Sequence, residues 1–143
     1  MTEEEIARRC RDTMWSTDVA SQDLGMQVEV AGPGSAVASF EVRASMVNGY
    51  GICHGGYIFA LADSAFAFAC NTYDRITVAA GASIDFIKPA RSGDTLQAIA
   101  AEVSRGGRTG IYDVEVTNQL GEVIAIFRGR SYATREPILQ SDT

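Results

Sequence analysis

Residues 48–71 read NGYGICHGGYIFALADSAFAFACN, and this stretch decides the fold of the chain. Its first part is a polar loop rich in glycine. Its second part, from Tyr57 to Asn71, contains neither proline nor an internal glycine. Alanine, leucine and phenylalanine occupy every side of the helical wheel there, which predicts a helix that is buried all round. The predicted helix runs from about Gly56 to Tyr73.

One charged residue, Asp63, interrupts this apolar helix. No basic residue lies within helical reach of it, because its neighbours three and four positions away are Phe59, Ala60, Phe66 and Ala67. Burial of an unpaired carboxylate is costly, and the usual result is a raised pKa or a partner from another segment. Asp63 is therefore the leading candidate for a functional group. The alternative is a structural carboxylate that caps or hydrogen-bonds a neighbouring strand.

Composition and charge limit the classes of function. The chain has 143 residues and a net charge of −6, which argues against general binding to nucleic acid or to anionic membranes. No secretory signal is visible at the N-terminus, and the apolar run after Tyr57 is shorter than the roughly 20 residues that span a bilayer. The three cysteines fit reduced thiols better than a disulfide framework. We expect a soluble cytoplasmic protein.

The segments before the long helix predict a short helix and a hairpin. Thr2 and Glu5 have the spacing of a capping box, which predicts an N-terminal helix over about 3–15. The polar segment 16–23 is expected to be irregular. Two short strands and a glycine-rich loop without regular structure are then predicted at residues 26–30, 37–42 and 44–56.

Four strand-like runs after the long helix are expected to form an antiparallel meander. They are residues 76–88, 94–104, 109–118 and 122–133. A helix that is apolar all round cannot leave one side in water, so the sheet must curve round it or a second molecule must cover it. The sequence therefore predicts an α+β fold, in which a curved antiparallel sheet cradles one long helix, as a single domain of residues 1–143.

A longer pattern in the same stretch resembles a known family. The order Asn48-Gly-x-Gly-x-x-His54-Gly55-Gly56-x-x-Phe59-x-Leu61-Ala62-Asp63 is similar to the motif of the hot-dog-fold acyl-CoA thioesterases. Segments 65–71, 83–86, 93–96 and 109–113 are similar to the branch of phenylacetic acid degradation (PaaI-like) thioesterases. The similarity spans roughly residues 24–133. It implies a hot-dog fold and hydrolysis of phenylacetyl-CoA, or related aryl or medium-chain acyl-CoA thioesters, to free acid and CoA.

The resemblance also implies roles for five residues. Asp63 is the implied catalytic carboxylate, with the choice between nucleophile and general base left open, and the backbone N–H of Gly55 faces the thioester carbonyl. Asn48 flanks the attacked carbon, His54 helps to shape the loop and is a candidate for contact with the thioester, and Ser83 holds the hydrolytic water. Thioester hydrolysis needs a carboxylate and an oxyanion stabiliser of this kind. No metal or separate cofactor is expected, because coenzyme A is part of the substrate.

The spacing of two of these residues adds a constraint. Asp63 lies eight residues after Gly55, so the two are roughly 12 Å apart along a helix axis. One carbonyl group cannot touch both, and the Asp63 that serves Gly55 should come from a second subunit. We predict a homodimer with two equivalent sites on a two-fold interface, which assembles further into a tetramer.

Five residues are candidates for contacts with the coenzyme A part of the substrate: Arg105, Arg108, Thr109, Gly110 and Arg128. They lie around the glycine turn between two predicted strands or on the last strand. Guanidinium groups bind phosphate through paired hydrogen bonds, and coenzyme A carries phosphates. The alternative for each arginine is a solvent-facing position on a strand.

Two other functions are open from the sequence. A hot-dog module can bind or sense acyl-CoA without catalysis, but such a module gains nothing from a buried charge beside its ligand's thioester. A hot-dog dehydratase would act on an acyl-carrier substrate and would require His54, whereas a thioesterase that lost His54 would only be slowed.

Overall fold

A six-stranded antiparallel sheet packs against one long helix in the computed structural model, which describes residues 1–140. The elements in chain order are α1 (Glu3–Trp15), α2 (Val19–Asp23), β1 (Gln27–Glu29), β2 (Ser35–Glu41), a 3-10 turn (Ala44–Met46), α3 (Gly55–Cys70), β3 (Thr77–Phe86), β4 (Thr95–Gly106), β5 (Thr109–Thr117) and β6 (Val123–Ala133). The predicted α+β class is confirmed. Residues 141–143 of the predicted domain lie outside the described residues.

The order of strands across the sheet is β1-β2-β4-β5-β6-β3. Strands β4, β5 and β6 form an antiparallel meander, but the prediction that β3 begins this meander is wrong, because β3 pairs with β6 at the far edge. The reason is α3, which joins β2 to β3. Its 16 residues span about 24 Å and carry the chain across the sheet before β3 begins.

The core lies between α3 and the inner face of the sheet. Helix α3 packs across β2, β5 and the first half of β4, where every second strand residue is buried. The ring of Phe66 lies 5.7 Å from the ring of Tyr112 and 5.8 Å from that of Phe127, measured between centroids. Full burial of one such side chain contributes about 2 kcal/mol to stability. Within residues 1–140, no helix is both long and apolar enough to cross a membrane.

The predicted burial of α3 on all sides is only partly correct. One face of the helix, with Ala60, Asp63, Ser64 and Ala67, keeps partial exposure. The N-terminal segment covers part of this face, since the rings of Trp15 and Phe68 lie 6.3 Å apart and the hydroxyls of Ser21 and Ser64 lie 3.1 Å apart. The sheet covers one side of α3, and the N-terminal helices cover a part of the other.

The N-terminal segment is more regular than predicted. The capping box of Thr2 and Glu5 is present and begins α1, as expected. Segment 16–23, predicted to be irregular, contains α2, because the Asp18 carboxylate accepts a hydrogen bond from the Ser21 backbone N–H at 3.1 Å and caps the helix.

The predicted boundaries of the glycine loop and of α3 also need correction. The loop over 44–56 contains the 3-10 turn, and α3 already begins at Gly55. The helix ends at Cys70 rather than Tyr73, because the Asn71 side chain turns the chain toward β3. The Asn71 amide donates to the carbonyl oxygen of Ala67 at 2.9 Å, and its oxygen accepts from the Thr77 N–H at 2.8 Å.

Because Gly129 of β6 contacts Phe66 of α3, adding a single methyl group at residue 129 is expected to lower the stability of the fold. A Cβ on residue 129 would lie 2.7 Å from three atoms of the buried Phe66 ring. We expect Gly129→Ala to lower the free energy of unfolding by about 2 kcal/mol, because the packed ring has no room to move. Denaturant unfolding measures the change.

Gly106→Ala is the matched control, because a Cβ there meets no heavy atom within 4 Å. It should change the free energy of unfolding by no more than about 0.5 kcal/mol. Equal stability of the two alanine variants would contradict this description of the core.

Candidate active site

The loop before α3 is held in shape by the side chain of Asn48. Its Oδ1 accepts hydrogen bonds from the backbone N–H of Tyr50 at 2.9 Å and of Ile52 at 3.3 Å. An amide accepts hydrogen bonds only through its oxygen, so Oδ1 is the atom that faces the loop. The Nδ2 group of Asn48 therefore points away from these two N–H groups. Asn48 therefore presents an N–H donor to the space beside the loop.

The start of helix α3 has two backbone donors that lack a backbone acceptor in the described part of the chain. His54 occupies the N-cap position without a side-chain hydrogen bond, and its backbone N–H donates to the Met46 carbonyl at 2.8 Å. Within residues 1–140, the N–H groups of Gly55 and Gly56 donate to no backbone acceptor. Such groups at the positive end of a helix stabilise a developing negative charge.

A cavity of about 430 Å³ opens beside these donors. Its lining, which we name the Gly55 pocket, consists of Asn48, Ile52, Cys53, Gly55, Ile58, Phe86, Ile87, Lys88 and Pro89. A Cβ on residue 55 would lie 3.0 Å from Cζ of Phe86, so the absence of a side chain at Gly55 allows the Phe86 ring to approach the start of the helix. The place of Phe86 in this pocket has no signal in the sequence, because the end of a strand does not indicate which loop it approaches.

Asp63 faces a different cavity, of about 290 Å³. This Asp63 pocket is lined by Asp18, Ala20, Ser21, Leu24, Met26, Ala60, Asp63, Ser64 and Ala67. Burial raises the pKa of the Asp63 carboxyl, and no hydrogen bond or nearby positive charge among residues 1–140 offsets it. The carboxylate is half-buried rather than fully buried, because the pocket keeps it accessible.

The two thiols near the site are not suited to act as nucleophiles. Burial raises the pKa of Cys53 to about 11, and burial together with the Asp63 charge raises the pKa of Cys70 to about 12. Both thiols are therefore protonated at neutral pH, and the thiolate is the reactive form.

One chain does not bring the five predicted site residues together. Asn48 and Gly55 line one pocket, and His54 lies between the loop and the helix, whereas Asp63 lines another pocket. Ser83 is exposed on the edge strand β3 and lines a third cavity with Arg128. The predicted roles of these five residues stay predictions.

Three of the predicted coenzyme A contacts share a basic pocket at the C-terminal end of α3. Arg105, Arg108 and Thr109 line this cavity of about 400 Å³ together with Arg75, which is not among the contacts predicted from the sequence. The Arg105 guanidinium carbon lies 3.6 Å from the centre of the Tyr73 ring. Only the packing of distant segments places Arg75 beside the other two arginines.

The other two predicted contacts lie elsewhere. Gly110 is buried, and a Cβ there would lie 2.8 Å from Oγ of Ser131, which gives this glycine a packing role. Arg128 forms a two-pronged ion pair with Asp113, with Nε–Oδ1 at 2.6 Å and Nη2–Oδ2 at 3.0 Å. Arg128 would have to leave this partner to bind a phosphate.

Comparison with known proteins gives consistent matches. The sequence model of the thioesterase superfamily matches residues 50–125. Acyl-coenzyme A thioesterase PaaI of Escherichia coli K12 is 43% identical over 119 residues, which cover 83% of this chain and 85% of the relative. The structure of the E. coli PaaI protein from the phenylacetic acid degradation operon has a TM-score of 0.93 at 38% identity, and the match covers 95% of this chain and 99% of that one.

Two further structures are similar over most of the chain. A mutant of the phenylacetic acid degradation protein PaaI from Thermus thermophilus has a TM-score of 0.78 at 39% identity, covering 82% of this chain and 100% of that one. A Streptococcus mutans protein bound to acetyl CoA has a TM-score of 0.74 at 30% identity, covering 78% of this chain and 90% of that one.

The raised pKa of Asp63 predicts a pH-dependent gain in stability for Asp63→Asn. The pKa of this carboxyl is higher in the folded state than its unfolded value of about 3.9, so the carboxyl destabilises the fold as the pH rises from the unfolded pKa to the folded pKa. Below the unfolded pKa the carboxyl is protonated in both states and does not change the free energy of unfolding. The asparagine variant should therefore unfold at higher denaturant concentration than wild type at pH 7. The two proteins should converge as the pH falls toward about 4.

Asp113→Asn provides a control of opposite sign. Its hydrogen bonds with Arg128 lower the pKa of Asp113, so this carboxylate stabilises the fold above about pH 3.9 and loses that effect on acidification. Asp113→Asn should be less stable than wild type at pH 7. A loss of stability in Asp63→Asn at pH 7 would show that the carboxylate has a stabilising partner.

Proposed function

The chain belongs to the thioesterase superfamily, and we propose that it hydrolyses phenylacetyl-CoA or related aryl or medium-chain acyl-CoA thioesters to free acid and CoA. The hot-dog fold and the thioester hydrolase class expected from the sequence are confirmed. The finer proposal of substrate is supported by the similarity to E. coli PaaI, whose name gives acyl-coenzyme A as its substrate.

The observation that carries this proposal is an accessible carboxylate that has no partner in the part of the chain that the structure describes. Asp63 is half-buried on α3, without a positive charge or hydrogen bond among residues 1–140 to compensate it. A module that only binds acyl-CoA has no use for such a group, since it costs stability. A hydrolase uses it to activate water or to attack the carbonyl carbon.

The proposed reaction uses one donor set and one carboxylate. The N–H of Gly55 donates to the thioester oxygen, where negative charge develops, and the Nδ2 group of Asn48 lies in the same pocket. Asp63 takes a proton from water, and the resulting hydroxide bonds to the carbonyl carbon. The C–S bond then breaks, and the CoA thiolate takes the proton from Asp63. A raised pKa favours this general-base role.

His54 and Ser83 have supporting roles in the proposal. His54 links the loop to the helix, because its N–H donates to Met46 and its carbonyl oxygen accepts from Tyr57 at 3.0 Å. Ser83 has an exposed hydroxyl on β3, which suits a group that holds the attacking water.

The proposed site takes Gly55 and Asn48 from one subunit and Asp63 from a second. Support comes from the roughly 12 Å that separate Gly55 and Asp63 on one rigid helix, and from the different pockets that they line. Strand β3 also has one edge without a partner among residues 1–140, and it carries exposed Val78 and Phe86. Such an edge favours pairing with another chain, and further assembly gives the proposed tetramer.

The coenzyme A part of the substrate is proposed to contact the basic pocket. Arg105 and Arg108 supply positive charge there, and Thr109 supplies a hydroxyl. Gly110 and Arg128 were also predicted as contacts, and Arg128 would first have to release Asp113. The similarity to an acetyl CoA-bound protein supports recognition of this class of substrate.

The first test is release of free CoA by wild type and by Asp63→Asn. The panel contains phenylacetyl-, benzoyl- and straight-chain acyl-CoA thioesters. We expect kcat of the variant to fall about 10²–10⁴-fold, because the near-isosteric amide can neither accept the proton nor attack. If wild type and variant bind the thioesters equally well and neither releases CoA, the protein is a binding module.

The second test asks whether one site uses two chains. Asn48→Asp removes the Nδ2 donor but keeps the oxygen that Tyr50 and Ile52 contact. Co-expression of this variant with Asp63→Asn places one intact site in each mixed dimer. With random pairing we expect about a quarter of wild-type activity, although each variant alone is nearly inactive. No recovery in verified mixed dimers would show that each site is contained in a single chain.

A further inference from the structure

One wall of the Asp63 pocket is made by the N-terminal segment, residues 18–26, most of which lies before the stretch that carries the family resemblance. More than half of the pocket's lining comes from this segment: Asp18, Ala20, Ser21, Leu24 and Met26. The opposite wall is the face of α3 with Ala60, Ser64 and Ala67, whose small side chains leave the space. Without the segment, this face of α3 would be an open surface.

A chain of hydrogen bonds fixes the segment to α3. The Ser21 hydroxyl donates to Oδ2 of Asp18 at 2.7 Å, because an ionised carboxylate can only accept. The hydroxyls of Ser21 and Ser64 lie 3.1 Å apart, so Ser64 is left as the donor of that bond. Both hydroxyl protons are therefore used within the protein. The polar groups that the pocket presents to a ligand are acceptors and carboxylates.

The charge of the pocket decides which end of a thioester it can accept. Among residues 1–140, the charged residues that line it are Asp18 and Asp63. A pocket with two carboxylates disfavours the phosphates of coenzyme A, because like charges repel strongly in a partly desolvated site. The Gly55 pocket contains Lys88, and the basic pocket contains three arginines. The volume of about 290 Å³ also suits a compact group rather than a nucleotide with its pantetheine arm.

We propose that the Asp63 pocket binds the acyl group of the substrate, and that residues 18–26 make it selective for compact, uncharged acyl groups. This inference rests on the proposed thioesterase function. The acyl group extends from the attacked carbon beside Asp63 toward α2, while the CoA portion leaves in the other direction. Ala20 limits the size of the acyl group, and Asp18 excludes acyl groups that carry a carboxylate.

The size limit is tested with Ala20→Leu, which adds volume at an exposed position of α2 that lines the Asp63 pocket. The ratio of kcat/KM for phenylacetyl-CoA to that for acetyl-CoA should fall about tenfold, because the leucine side chain occupies space that the phenylacetyl group needs and the acetyl group does not. Val19→Leu is the matched control on the same helix. Val19 is 72% exposed and does not line the pocket, so this ratio should stay at the wild-type value.

The charge limit is tested with Asp18→Asn, which keeps an oxygen to cap α2 but removes the negative charge. Succinyl-CoA and butyryl-CoA have acyl groups of equal chain length, and only the first carries a carboxylate. The ratio of kcat/KM for succinyl-CoA to that for butyryl-CoA should rise about tenfold in the variant. Thermal unfolding of each variant verifies that the fold is kept.

The outcomes separate this inference from the proposed function. If wild type releases CoA from none of these thioesters, the proposed function fails and the acyl pocket fails with it. If wild type is active and both ratios are unchanged in Ala20→Leu and Asp18→Asn, only the acyl pocket is wrong. A change in the phenylacetyl-to-acetyl ratio caused by Ile87→Ala, with none caused by Ala20→Leu, would place the acyl group in the Gly55 pocket instead.

Discussion

The need to keep the apolar residues of the 16-residue helix α3 out of water governs the whole structure. The sheet packs Phe66 against Tyr112 and Phe127 and so removes one side of the helix from solvent. The other side is covered only in part by α1 and α2. The face that remains carries Asp63, so the carboxylate for which we propose a catalytic role lies where the burial of α3 is incomplete.

The rigidity of α3 has a direct consequence for the chemistry. A helix holds Gly55 and Asp63 at a fixed separation of roughly 12 Å, and no loop movement can shorten it. The proposed oxyanion donors and the Asp63 carboxylate therefore occupy two pockets on different parts of one chain. The proposed site contains both groups because it uses the surface of a second copy, and the edge of β3, unpaired among residues 1–140, offers a place for that copy.

The N-terminal segment links stability to the proposed choice of substrate. Ser21 and Asp18 fasten α2 to α3 through hydrogen bonds, and this packing also removes water from around Asp63. The same contacts that complete the fold thus determine the space and the charge beside the carboxylate. A segment without a recognisable motif can affect activity in this way, because pocket walls are set by contact and not by sequence proximity.

The sequence alone determined the features that depend on local patterns. The apolar run after Tyr57 predicted α3, the spacing of Thr2 and Glu5 predicted α1, and the lone charge in the apolar run drew attention to Asp63. Alternating residues predicted the strands to within a few positions, since side chains on a strand point to opposite faces in turn. The motif around Asn48 and Gly55 also identified the thioesterase superfamily.

The tertiary structure alone decided which distant segments meet. The position of β3 beside β6, the approach of Phe86 to Gly55, and the joining of Arg75 with Arg105 had no local signal. Helix α2 is not predicted from the sequence because it has only five residues, which is too short for a periodic pattern of apolar residues. Periodicity reports the face on which a side chain lies, whereas the packing of α3 between sheet and N-terminus fixes what that face contacts.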